Sequence, residues 1–176
     1  METTLIHPPK TIREVWESLP EGTLCQLINE KLVMSPAPII LHQEVLNEIN
    51  ISISILLRKH NLGKVFIAPL DVHFSKENIL QPDIFFIKTE NIRKIKSRGL
   101  FGAPDFIVEI LSTATSHLDF GEKKLIYEKY GVREYFIVEP NSKSVTSFLL
   151  KNKKYEEQKK TKGIIKSILL HTEIRF

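Results

Sequence analysis

Apolar residues in this chain recur at two different spacings, and the switches between them mark out the elements. His42, Val45, Leu46, Ile49, Ile53, Leu56 and Leu57 share one face at helical spacing, which predicts a long helix from about 39 to 60. Asn61-Leu62-Gly63 closes it, with Gly63 suited to a left-handed cap. In Ile84-Phe85-Phe86-Ile87 and in Phe106-Ile107-Val108-Glu109-Ile110-Leu111 apolar residues fill both alternating registers, so both runs read as strands covered on two faces. A second helical stripe, Lys123, Ile126, Tyr127 and Tyr130, predicts a helix over 119–130. A capping box from Asp119 to Glu122 opens it and Gly131 stops it. Strand 105–111, helix 119–130 and strand 134–139 have the order and length of a parallel βαβ crossover.

Shorter signals fill the intervals. Thr11 caps a short helix through Ser18, with Glu14 as its capping-box partner. Leu24 to Ile28 and Lys31 to Met34 flank Asn29-Glu30 as a hairpin. Ser35-Pro36-Ala37-Pro38 is a stiff connector, because neither proline can donate a backbone hydrogen bond. Residues 64–74, interrupted at Pro69, pair antiparallel with 82–87, and Thr89 to Arg98 form a charged excursion with a short helix. Residues 145–150 and 155–158 make a hairpin, and 164–170 are an apolar element whose type the pattern leaves open. Residues 1–10 read as a loose terminus. The expectation is one domain over 1–176 of the α/β (α+β) class: a mixed β-sheet flanked by helices, with an N-terminal helix-hairpin and a C-terminal hairpin.

Composition narrows the class only a little. A content of 42% hydrophobic and 26% charged residues is that of an ordinary soluble globular protein. No apolar run approaches the roughly 20 residues of a membrane span and no charged-then-apolar leader opens the chain. A single cysteine, Cys25, excludes an intramolecular disulfide and any multi-cysteine zinc site, so the expected compartment is cytoplasmic. The net charge of +4 is compatible with a polyanionic partner without requiring one. Much of the excess lies in Arg93-Lys94-Ile95-Lys96-Ser97-Arg98 and in 151–162, each either a solvated tip or a phosphate-contacting surface.

Glu109 changes the picture most. A carboxylate inside a strand buried on both faces needs a cation or hydrogen bonds to stay ionised. Asp83 stands at the mouth of the other apolar strand, and Lys123 is the inward lysine of its helix, since Lys124 heads a poorer stripe. Two acids at neighbouring strand ends could hold Mg²⁺, with Mn²⁺ as a substitute, and the carbonyl of Ile110 is a further candidate ligand. Such an ion lowers the pKa of bound water and polarises a phosphate, while Lys123 orients that water or stabilises charge developing in the transition state. A buried Glu–Lys ion pair would look the same in sequence, and acid pairs also serve glycosidases, although no aromatic platform for sugars lies near these. His42 points inward, either as a core histidine with one hydrogen-bonded nitrogen or as a site residue.

The chain also resembles a known family. Gln81-Pro82-Asp83-Ile84, the run from Gly102 to Ser112, Asp119-x-x-Glu122-Lys123-x-x-x-Tyr127 and Gly131-Val132-x-Glu134-Tyr135-x-Ile137-Val138-x-Pro140 are similar to the Uma-two family of restriction-endonuclease-like proteins. That family is part of the PD-(D/E)xK nuclease superfamily, and Met34-Ser35-Pro36-Ala37-Pro38 and His42 extend the match over most of 11–150. The resemblance implies a restriction-endonuclease-like fold, a Mg²⁺-dependent phosphodiesterase and DNA as substrate; a homodimer is the expected assembly, since nucleases that cut both strands often pair, although the sequence leaves the oligomeric state open. It implies Asp83 and Glu109 as the two acids, with His42, Gln26, Asp119 and Tyr127 in support. The superfamily's lysine two residues after the glutamate is Leu111 here, and Lys123 looks like the substitute. Gln26 stands where the family often has a glutamate, and can bind a water but brings no charge; Ser112-Thr113-Ala114-Thr115 replaces the usual Ser-Pro-Ser-Thr. Arg93, Lys94, Lys96 and Arg98 are the candidate nucleic-acid contacts. A catalytically inactive module that binds nucleic acid or protein on the same fold is the alternative.

Overall fold

The computed structural model describes residues 8–176, so most of the terminus expected to be loose over 1–10 lies outside the described residues. Helix α1 (Ile12–Glu17) has the expected cap, its Thr11 hydroxyl accepting from the Glu14 N–H at 3.1 Å. Strands β1 (Cys25–Ile28) and β2 (Lys31–Met34) form the expected hairpin, and Asn29 and Glu30 both take positive φ, which suits the twist of a two-residue turn. Helix α2 (Ile40–His60) buries His42, Val45, Leu46, Ile49, Ile53 and Leu57. Its left-handed cap is Asn61 (φ 50°) and not Gly63. Gly63 instead begins β3 (Gly63–Ile67), where a Cβ would collide with the backbone carbonyl of Ile87 on the neighbouring strand. The glycine serves close approach rather than capping.

Strands β4 (Val72–His73), β5 (Ile79–Leu80) and β6 (Ile84–Lys88) follow. The strand expected over 64–74 is therefore two, β3 and β4, which join different sheets on either side of Pro69. The charged excursion is a 3-10 turn (Thr89–Lys94) that runs into β7 (Ile95–Lys96), β8 (Gly99–Phe101) and β9 (Phe106–Ile110). The helix expected over 119–130 is also two, α3 (Ser116–Phe120) and α4 (Glu122–Tyr130). Asp119 lies inside α3, so it cannot cap α4, and the capping box is absent. The chain bends at Gly121, where a Cβ would sit 2.7 Å from the His117 carbonyl oxygen. Strands β10 (Glu134–Glu139), β11 (Ser144–Lys151), β12 (Lys154–Glu157), β13 (Thr161–Lys162), β14 (Ile164–Ser167) and β15 (Thr172–Arg175) complete the chain. The apolar element of open type is thus β14, paired antiparallel with β15.

The main sheet runs β12-β11-β10-β9-β6-β3, with β13 beside β11. It is mixed, as expected: β9 and β10 are parallel with Glu109 opposite Ile137, while β6 and β9 are antiparallel with Ile84 opposite Val108. A second sheet runs β2-β1-β5-β4-β8-β7. Alternation along the central strands feeds two cores. Ile84, Phe86, Phe106, Val108, Ile110, Phe136 and Val138 face α2. Phe85, Ile87, Ile107, Tyr135 and Ile137 face Ile126 and Tyr127 of α4 and Val72, Leu80 and Leu100 of the second sheet. Covering both faces explains why these strands read as continuous apolar runs, each buried Ile or Phe contributing about 1.5–3 kcal/mol. Glu109, between Val108 and Ile110, takes the α4 side.

Candidate active site

The βαβ crossover and the antiparallel pairing of β6 with β9 together assemble the acid cluster. Asp83 lies one residue before β6, and its N–H donates to Glu109 Oε2 at 3.4 Å. Its Oδ2 accepts from the Ile110 N–H at 2.7 Å and lies 3.2 Å from His42 Nε2. Glu109 Oε1 accepts from Lys123 Nζ at 3.0 Å and from the Tyr127 hydroxyl at 2.6 Å. Lys123 Nζ is also 2.9 Å from Asp119 Oδ1, and the Asp119 carbonyl accepts from the Tyr135 hydroxyl at 2.9 Å. Lys123 and Tyr127 reach one carboxylate because they stand four apart on α4; Asp119 reaches the same lysine because α3 precedes the bend at Gly121.

Charge is scarce here on the positive side. Glu109, Asp119 and Lys123 are buried, and the Asp83 side chain, at 17% exposure, is the edge that meets solvent. Burial raises the Glu109 pKa to about 8 against the pull of Lys123, with Asp119 and Asp83 pushing the same way as burial. Burial likewise raises Asp119 in spite of Lys123. For Lys123 burial acts downward, but Glu109, Asp119 and Asp83 outweigh it and the ammonium is held above its ordinary value. His42 is pulled down by burial and raised on balance by its hydrogen bond to Asp83, the Asp83 charge and the Ile110 carbonyl. One lysine therefore serves three carboxylates, with a histidine at the rim.

The other candidate residues occupy different places. Gln26 is buried and structural: its Oε1 accepts from the Gln81 N–H at 3.0 Å and its Nε2 donates to Ser35 Oγ at 3.3 Å. It fixes the segment leading to Asp83. Lys94 is tied to the Ala103 carbonyl at 2.9 Å, while Arg93, Lys96 and Arg98 are exposed. In the second basic cluster Lys151 pairs with Glu156 and Lys154 with Glu128, which offsets part of its charge. Sequence reasoning missed Tyr135 and the N–H groups of Asp83 and Ile110. Tyr135 carried a signal, as a hydroxyl-bearing side chain in a buried strand whose next three residues, Phe136, Ile137 and Val138, are apolar; backbone donors carry none.

Asp83 and Glu109 are hard oxygen donors beside each other; burial is the main cause of the raised Glu109, and a divalent cation would relieve the smaller part that Asp119 and Asp83 add. Among the described residues no three His, Cys, Asp or Glu side chains are grouped to hold an ion by themselves. Two carboxylates, Asp83 and Glu109, would be the protein's share of an ion that keeps several waters, as Mg²⁺ does.

No curated protein matches the sequence. A solved structure described as a putative nuclease belonging to DUF820, from Anabaena variabilis, shares the fold with a TM-score of 0.70. The two chains are 22% identical, over 85% of this chain and 84% of the other. Among the described residues no helix is long and apolar enough to cross a membrane. The family model described as "Putative restriction endonuclease" (Uma2) matches residues 14–170, and this chain belongs to that family.

Proposed function

We propose that the protein is a divalent-metal-dependent endonuclease that hydrolyses phosphodiester bonds in DNA, working as a homodimer so that two sites can address two strands. The observation that carries this reading is the meeting of Asp83, Glu109 and Lys123, from three separate segments, in one acid-rich cluster at the end of the sheet. Asp83 and Glu109 would hold Mg²⁺, or Mn²⁺ in its place, with the Ile110 carbonyl beside them. When bound, the ion supplies an acidified water and polarises the scissile phosphate. The chain's own groups supply the positioning. The Ile110 N–H and His42 hold Asp83 Oδ2. Lys123 and Tyr127 hold Glu109 Oε1, which leaves Oε2 facing Asp83. Lys123 adds a fixed positive charge in a low-dielectric site, where it steadies the attacking water and the charge that develops on phosphate. Asp119 balances that lysine, and membership of a restriction-endonuclease family supports a nucleic-acid substrate.

One observation favours a second reading, a non-catalytic module that binds nucleic acid or protein. Glu109 Oε1 is already occupied by Lys123 Nζ at 3.0 Å, and both side chains are nearly sealed, at 6% and 3% exposure. The experiment that separates the two is cleavage of supercoiled plasmid in Mg²⁺ and Mn²⁺. Wild type is expected to cut, and Asp83→Ala and Glu109→Ala to lose cutting with an intact far-ultraviolet spectrum. Wild type inert on every DNA form in both metals would leave the binding module.

A further inference from the structure

Helix α2 carries a second stripe opposite its buried face. Ile40, Glu44, Asn47, Ile51, Ile55 and Arg58 follow one another at three- and four-residue steps and are all exposed. Three of these are isoleucines with 79%, 48% and 64% of their surface in solvent. Among the described residues, Glu44, Arg58 and Lys59 have no ion-pair partner, whereas Glu48 on the flank is already paired with Lys143. Arg58, Lys59 and His60 in the last turn complement the helix dipole, and that alone would explain these bases. It does not explain isoleucines in the same line, since an exposed helix surface gains nothing from them.

The stripe is self-complementary. Run antiparallel to a copy of itself about Ile51, it places Ile51 against Ile51, Ile55 against Asn47, and Glu44 against Arg58, with Gln43 facing Lys59 on one flank. Glu44 of each copy meets Arg58 of the other, and Ile51 meets its own mate in the middle. A parallel arrangement would instead set Glu44 against Glu44 and Arg58 against Arg58. We infer that the outer face of α2 is the surface on which two copies of this chain associate, antiparallel about a two-fold axis at Ile51. Such an isologous contact buries less than the roughly 1,600 Å² of a standard interface unless neighbouring loops join it. The contact uses the outer face of the helix whose inner face carries His42, so it leaves the acid cluster uncovered. The argument does not depend on the nuclease reading.

Sedimentation velocity over a concentration series, without metal or DNA, tests it. Wild type is expected to shift from monomer to dimer as concentration rises. Ile51→Glu should raise the dissociation constant at least tenfold, with an unchanged thermal melt showing that the fold survives. Glu44→Arg and Arg58→Glu should each weaken the dimer, and the two together should restore it, because swapped charges still meet across the axis. Ile51→Cys should cross-link to its own mate on oxidation, since Cys25 is buried and cannot compete. A monomer at every concentration, a dimer indifferent to Ile51→Glu, or a double charge swap that fails to restore association would each overturn the inference. A dimer without nuclease activity would support it and count only against the function proposed above.

Discussion

Lys123 is the residue on which the cluster turns. Removing its charge leaves Glu109 and Asp119 facing each other without a cation in a buried space. Lys123→Met is therefore expected to destabilise the fold by about 3–5 kcal/mol, read from urea unfolding at neutral pH. Lys123→Arg should lose less stability, and a loss equal to that of methionine would contradict the electrostatic account. Glu109 gives a pH signature of known sign. Its ordinary carboxyl value is 4.5 and its folded value about 8, so between these the folded protein keeps a proton that the unfolded chain has released. Stability from this group is present in full below about 4.5 and is lost as pH rises toward 8. Glu109→Gln, which cannot ionise, should flatten that decline; an unchanged slope would show that another group causes it.

At the scale of elements, Gly121 sets the angle between α3 and α4 and so the place of Lys123. A methyl group there would press on the His117 carbonyl, and relief requires a shift of backbone. Gly121→Ala is expected to cost about 1–3 kcal/mol, with a lower melting temperature. The bend was hidden in the sequence because the stripe from Lys123 to Tyr130 keeps its period whichever way α3 enters, and the Asp119–Glu122 spacing imitates a capping box. Other elements were open to reading for equally physical reasons. The buried stripe of α2 and the doubly apolar β6, β9 and β10 follow from two-sided burial, which writes itself into composition. The inward lysine of α4 followed from helical spacing. Two-residue strands such as β4, β5 and β7 were not legible, because pairing partners far along the chain define them and two residues carry no period. Gln26 looked like a weakened acid, while its hydrogen bond to the Gln81 N–H exists only once the first hairpin meets β5.

For the whole molecule, the net charge of +4 and the exposed Arg93, Lys96 and Arg98 around β7 concern the approach to a polyanion. Lys94 is a poor probe, since its ammonium anchors the Ala103 carbonyl. Lys96→Gln combined with Arg98→Gln should weaken DNA binding and reduce the logarithmic salt slope by about 1.8, the value for two lost phosphate contacts. An unaltered slope would assign both side chains to solvation. The central claim is that Asp83 and Glu109 share a hydrated cation at the end of the main sheet, and Mn²⁺ soaked into crystals tests it most directly. The account predicts an anomalous peak within coordination distance of both carboxylates, lost in Asp83→Ala. A fully soaked crystal with no peak there, or with manganese bound only elsewhere, would contradict it.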